Sequence, residues 1–140
     1  PPTEIDTEML APCGLNCMLC YRHLAKKPCP GCRARLSEPD EYRRKCVMRS
    51  CVAEHGLFSC AACAERPCKR MKTFQKRYLD GYGVDLAADA ARLREVGAEA
   101  FLRGQIAAHT CADCGHLIDM HYGRCSGCNK QYPIGKGRSA

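Results

Sequence analysis

Fourteen cysteines stand in a chain of 140 residues, and five Cys-x-x-Cys pairs account for most of them: Cys17/Cys20, Cys29/Cys32, Cys60/Cys63, Cys111/Cys114 and Cys125/Cys128. Two thiolates three residues apart can chelate one ion from a single tight turn, which is a metal-site spacing rather than a disulfide one. The other four, Cys13, Cys46, Cys51 and Cys68, fall in the N-terminal stretch that also holds the first three pairs. The chemistry to expect is thiolate ligation of a metal in a reducing cytoplasm.

The most specific grouping is Cys111-Ala-Asp-Cys114-Gly followed, ten residues on, by Cys125-Ser-Gly-Cys128. Two knuckles at that separation predict a zinc ribbon over residues 110–130, with a small β-hairpin carrying Leu117, Ile118 and Tyr122 between them. In the N-terminal stretch, local pairing groups Cys17, Cys20, Cys29 and Cys32 around one ion and Cys46, Cys51, Cys60 and Cys63 around another. Cys13 and Cys68 are then left over. Either can displace a member of those sets, the two can share a site, and His23 or His55 can fill a position. His109, His116 and His121 flank a ribbon that already has four thiolates, so they read as surface groups or partners of the ligands. The expected cofactor is zinc, about three ions.

The elements that must position these residues are short. Asp6 to Leu10 allows a brief helical turn before Pro12. Asn16 stands where a helix cap would, ahead of a helix over 17–26 with Leu19, His23 and Leu24 on one face. Ser37-Glu-Pro-Asp40 reads as a second helix start running toward Cys46. From Lys69 an amphipathic helix is predicted, with Met71, Phe74, Tyr78 and Leu79 as its apolar stripe. Lys69, Arg70, Lys72, Lys76 and Arg77 lie opposite, and Asp80-Gly-Tyr-Gly83 forms the stop. Asp85 caps a helix with Leu86, Ala90 and Leu93 inward and an end near Gly97, and a last helix over 98–109 carries Phe101, Leu102 and Ile106. The expected fold is a small metal-stabilised α-rich domain (9–109) of short helices and zinc knuckles, then the β-hairpin ribbon (110–130) and a flexible basic tail (131–140).

Composition supports a metal-dependent fold. Three Phe and no Trp leave little apolar volume for a core, and cysteine replaces it. The formal charge of +7 counts cysteines as neutral. A four-thiolate site holding a divalent ion is dianionic, so three such sites bring the balance to about +1. Net charge therefore gives no argument for a polyanion partner. No signal core or membrane span is visible, no Gly-rich phosphate loop and no Ser/His/Asp pattern occurs, and no small-molecule substrate is evident.

Taken together, Cys13-Gly-Leu-Asn-Cys17-x2-Cys20, Cys29-Pro-Gly-Cys32, Cys46-Val-Met-Arg-Ser-Cys51-Val-Ala-Glu-His-Gly56 and Cys60-x2-Cys63-Ala-Glu-Arg-Pro-Cys68-Lys-Arg-Met resemble the thirty-seven-ninety-five family of domains of unknown function. These are small cysteine-rich proteins of bacteria and archaea. The likeness runs from about Met9 to Gln105, including Leu93-Arg-Glu-Val-Gly-Ala-Glu-Ala-Phe-Leu102, with the ribbon as an extension. The resemblance implies metal binding, usually inferred to be zinc, and no established reaction.

The function expected is a non-catalytic zinc-binding module that engages a macromolecule, protein or RNA. The alternative is an iron–sulfur protein with a redox or electron-transfer role at Cys13, Cys17 and Cys20, because Cys-x3-Cys-x2-Cys-Tyr resembles the cluster motif of radical S-adenosylmethionine enzymes. Those enzymes build it into a much longer α/β barrel, and no alternating strand–helix pattern exists here. A thioredoxin-like thiol enzyme would likewise need a βαβ context that is missing.

Overall fold

A computed structural model describes residues 4–26, 28–33, 51–52, 58–60, 63 and 68–139. Among the described residues, three α-helices given over their full length carry the frame: α1 (Lys69–Tyr82), α2 (Leu86–Val96) and α3 (Ala98–Ala108). Short 3-10 turns occupy Thr7–Met9, Cys17–Leu19 and Gly135–Ser139.

Each helix begins and ends for a local reason. Cys68 caps α1 with its sulfur, which accepts from the Met71 amide at 3.5 Å. At the other end Gly83 takes the left-handed conformation (φ 69°), donating to the Leu79 carbonyl while Val84 donates to Tyr78. Asp85 caps α2 through the Ala88 amide at 3.0 Å. Gly97, at φ 86°, breaks α2 from α3. The expected stripe of α1 holds at Met71, Phe74 and Tyr78, but Leu79 is exposed. One residue is about 100° of helical rotation, which carries Leu79 past the edge of the face that Tyr78 presents.

The segment 9–13 runs through the core. Leu10 and Ala11 are wholly buried, and successive side chains point opposite ways, as in any extended backbone. Leu10 packs with Ala90, Leu93, Phe101 and Leu102 of the α2–α3 hairpin. Met9, Ala11 and Cys13 face a second cluster with Cys17, Val52, Cys60 and Met71. Burying a leucine of this kind contributes about 1.5–3 kcal/mol. Arg33 ties the layers together: its guanidinium donates to the Leu10 and Phe58 carbonyls and stacks 3.8 Å from the Phe58 ring centroid.

The helix expected over 17–26 is corrected, and the β-hairpin expected in the ribbon is not confirmed. Asn16 does act as a cap, accepting from the Met18 amide at 3.0 Å, but the helix expected over 17–26 is one 3-10 turn followed by bends. The Cys20 amide already closes back onto the Cys17 carbonyl, and the Pro-bounded knuckle at Cys29 pulls the chain away. The β-hairpin of the ribbon is likewise not formed as a sheet. Among the described residues only isolated bridges occur, Thr110↔Leu117, Ile118↔Cys125 and Arg124↔Gln131 near the knuckles and Leu10↔Asn16 in the N-terminal part. Two knuckles and the tight turn closed by Gly123 onto Asp119 use up the residues a ladder would need. The helix start expected at Ser37 lies outside the described residues.

Residues 131–139, expected as a flexible tail, fold back instead. Tyr132 and Ile134 pack on the Cys111/Ile118/Cys125 cluster. The Lys136 amide donates to the His121 carbonyl at 2.8 Å, and Arg138 lies against Gly83 at the end of α1.

Candidate metal centre

The two C-terminal knuckles are built alike. In the first, Gly115 (φ 77°) donates its amide to the Cys111 carbonyl at 2.9 Å. In the second, Asn129 (φ 64°) donates to the Cys125 carbonyl at 3.1 Å. Each closing residue is left-handed, a conformation glycine adopts freely and asparagine tolerates better than most. The turn so formed aims amides at sulfur: Gly127 N–H points to the Cys125 Sγ at 3.4 Å. His116 packs its ring over Gly127, bringing the knuckles face to face.

The result is a four-thiol convergence. The Sγ atoms of Cys111, Cys114, Cys125 and Cys128 all lie within 4.8 Å of one another. Cys111 and Cys128 are 3.7 Å apart, Cys114 and Cys125 3.4 Å. A tetrahedral ion with sulfur bonds of about 2.3 Å has sulfur–sulfur edges of about 3.8 Å, so the donor set fits a zinc-sized ion with little movement. No disulfide joins any of the thirteen described cysteines.

The four thiols differ in acidity. The Tyr132 hydroxyl, donating at 3.0 Å, holds the Cys111 thiol down to about 6, and burial opposes it. Burial is the largest influence on Cys125 and acts upward, but the Cys128 and Gly127 amides and the neighbouring thiols carry it below its ordinary value. At Cys128 the largest influence, the Lys130 amide, acts downward. Loss of water and the hydrogen bonds of the other three thiols outweigh it and push the group up to about 12. Cys114 also ends above its ordinary value, the His116 amide being outweighed by the Cys125 hydrogen bond and burial. Cys111 and Cys125 are buried, whereas Cys114 and Cys128 are exposed.

The N-terminal cysteines form a looser layer. Cys13, Cys17 and Cys60 are buried together, with Cys32 and Cys68 packed against them. The Cys32 amide donates to the Cys17 Sγ at 3.4 Å, and the Cys60 amide to the Pro12 carbonyl. The hydrogen bond with Cys32, then burial, pushes the Cys17 thiol up, with the charges of Cys32 and Cys13 adding to it. Burial raises Cys20, and the charges of Cys32 and Cys29 add to that. Cys13 and Cys68, the two left over by local pairing, are thus drawn to one cluster with Cys17 and Cys32. The Cys17, Cys20, Cys29 and Cys32 sulfurs do not converge as the ribbon quartet does. Cys51 and Cys63 are half-buried, and Cys46 and His55 lie outside the described residues.

The histidines take other work. His23 Nδ1 is 2.7 Å from the Cys29 carbonyl, and His109 Nδ1 is 2.8 Å from the Gln105 carbonyl. His121 is buried among four tyrosines, with its Nε2 3.1 Å from the Tyr78 hydroxyl. Tyr21 and Tyr82 meet its ring edge-on at 5.2 and 4.9 Å. Asp119 accepts from the His121 and Tyr122 amides and holds its Oδ1 3.6 Å from His121 Nδ1. This junction joins the Cys20 turn, α1 and the ribbon. Nothing in the local spacing of those residues announces it.

Residues 9–73 match the model of a family described as "Protein of unknown function (DUF3795)". The match ends within α1, short of the Gln105 limit of the sequence likeness. No curated protein and no solved structure matches the chain. Among the described residues no helix is long and apolar enough to cross a membrane. The matched segment 9–73, which holds the N-terminal cysteine layer, is thus similar to a family whose function is unknown.

Proposed function

We propose that the chain is a zinc-stabilised, non-catalytic interaction module. The observation that carries this reading is the closure of the Cys111/Cys114/Cys125/Cys128 quartet, whose four sulfurs sit at tetrahedral spacing. Four protein ligands leave no open position for substrate, and a bound ion of this kind contributes folding free energy instead of chemistry. Cys13, Cys17, Cys20, Cys29, Cys32, Cys46, Cys51, Cys60, Cys63 and Cys68 supply the further sites, about three ions in all. The partner is a macromolecule. The exposed Lys69, Lys72, Lys76 and Arg77 on α1 are one candidate surface for it.

Metal analysis with a visible spectrum, on protein purified without oxygen, tests the reading. A colourless protein carrying zinc, and losing about one equivalent when Cys114 and Cys128 are both changed to Ser, is expected. A brown protein with iron and acid-labile sulfide overturns it in favour of a cluster at Cys13, Cys17 and Cys20.

A further inference from the structure

The tyrosines around His121 do more than fill space. Tyr21 and Tyr122 are 37% and 41% exposed although each is packed against the junction. They meet edge to face at 5.2 Å, and Tyr122 meets Tyr82 edge to face at 6.5 Å. In an edge-to-face pair only one ring has a face covered by its partner, which is in keeping with the ring surface that Tyr21 and Tyr122 keep exposed to solvent.

Cations surround these rings. Arg22 lies 5.7 Å from the Tyr21 centroid and holds its hydroxyl at 3.1 Å. The Lys136 ammonium lies 5.5 Å from the Tyr82 centroid. Arg138 is anchored by the Gly135 and Asp80 carbonyls and with Lys136 lines a shallow groove of about 460 Å³. Among the described residues, Asp119 is buried on backbone amides, and the carboxylate of Asp80, which also lines the groove, is held by Lys76 at 2.8 Å.

We propose that Tyr21, Tyr82 and Tyr122, ringed by Arg22, Lys136 and Arg138, bind single-stranded nucleic acid, with unpaired bases stacking on the rings and phosphates meeting the cations. Base–aromatic stacking beside a cationic rim is the chemistry by which single strands are held without sequence readout. A duplex keeps its base faces covered and cannot use the rings. A Lys/Arg-rich peptide would meet like charge at the rim. The proposal rests on the interaction-module reading and names the partner class for it.

The test is fluorescence anisotropy with the full-length, zinc-loaded chain and labelled RNA and DNA single strands of about twelve nucleotides. A duplex of the same sequence and polyglutamate serve as competitors. Both strands binding, or one of them, more tightly than duplex and polyglutamate is expected, and their order identifies the physiological strand. The Tyr21→Ala and Tyr122→Ala variants each weaken binding about tenfold. The Lys136→Gln/Arg138→Gln variant lowers the slope of log affinity against log salt by about 0.7 per cation removed. Zinc content and circular dichroism are measured on every variant. No single-strand binding by a folded, zinc-loaded chain, equal binding of duplex or polyglutamate, or undiminished binding by Tyr122→Ala overturns the proposal. A chain that holds no zinc fails the module reading instead.

Discussion

Tyr132→Phe isolates one hydrogen bond at the candidate metal centre. The hydroxyl donates to the Cys111 Sγ at 3.0 Å, and the ring packs on Ile118 with the Lys130 ammonium 5.3 Å from its centroid. Phenylalanine keeps the ring and removes only the donor. The pair carries the mark of a phenol donating to a thiolate: Cys111 is pulled down to about 6 while the Tyr132 phenol is pushed up. Outer partners of metal ligands are worth about 10–100-fold in affinity. With the donor gone, the Cys111 thiol returns toward its ordinary value of 9.0, so protons displace the ion at higher pH. If four thiols each take up a proton on release, a 10–100-fold loss moves the release midpoint up by about 0.25–0.5 pH unit. Chelator competition at fixed pH and a pH titration of zinc release measure both quantities. Equal affinity and an equal midpoint in the variant, with unchanged helical dichroism, would refute the role given to Tyr132.

Other perturbations read different parts of the fold. Burial and the neighbouring Asp85 raise Asp89 to about 6, so its charged form is disfavoured in the folded chain and stability falls as pH rises from the ordinary carboxylate value through 6. Asp89→Asn therefore adds about 1 kcal/mol of stability at pH 7.5 after discounting for partial exposure, read as a higher thermal midpoint, and the gain shrinks toward pH 5.5. A constant gain across that window would contradict the linkage. Leu102→Ala opens a cavity at a wholly buried position between α2, α3 and Leu10 and costs about 2–5 kcal/mol in chemical denaturation. A loss below about 1 kcal/mol would mean that the site collapses or that the packing is otherwise. Gly135→Ala places a Cβ against the Met120 and His121 carbonyls at a left-handed position (φ 57°). It costs at least about 1–3 kcal/mol and raises the hydrogen exchange of the Lys136 amide, whereas a free tail would show neither.

What could be read ahead of the structure was local. Asp85, Gly97 and the 3.6-residue spacing of Leu86, Ala90 and Leu93 set the limits of α2 because capping and burial act within a few residues. The ribbon quartet was legible for the same reason, since each knuckle closes on itself. The short turn at 17–19 was not, because hydrophobic spacing cannot see that the Cys29 knuckle redirects the chain. Cys68 was named as a thiol of the cysteine layer, but its second task, capping α1, has no sequence signature of its own. The His121 junction and the Cys13/Cys17/Cys60 cluster join segments tens of residues apart, and their partners are chosen by packing. The contacts made by the tail are hidden behind its polar composition. Its folding depends on Gly135 and Gly137 fitting where a side chain would meet backbone.

The unequal exposure of the ribbon thiols has a kinetic side. Cys111 and Cys125 sit inside and run acidic, while Cys114 and Cys128 face solvent and hold their protons more tightly. If an ion occupies the site, the inner pair gives up its protons more readily than the outer pair, and Cys114 and Cys128 are the sulfurs that a competing thiol in solvent would reach first. Metal exchange would then be controlled on the solvent side, by the pair that holds its protons more tightly.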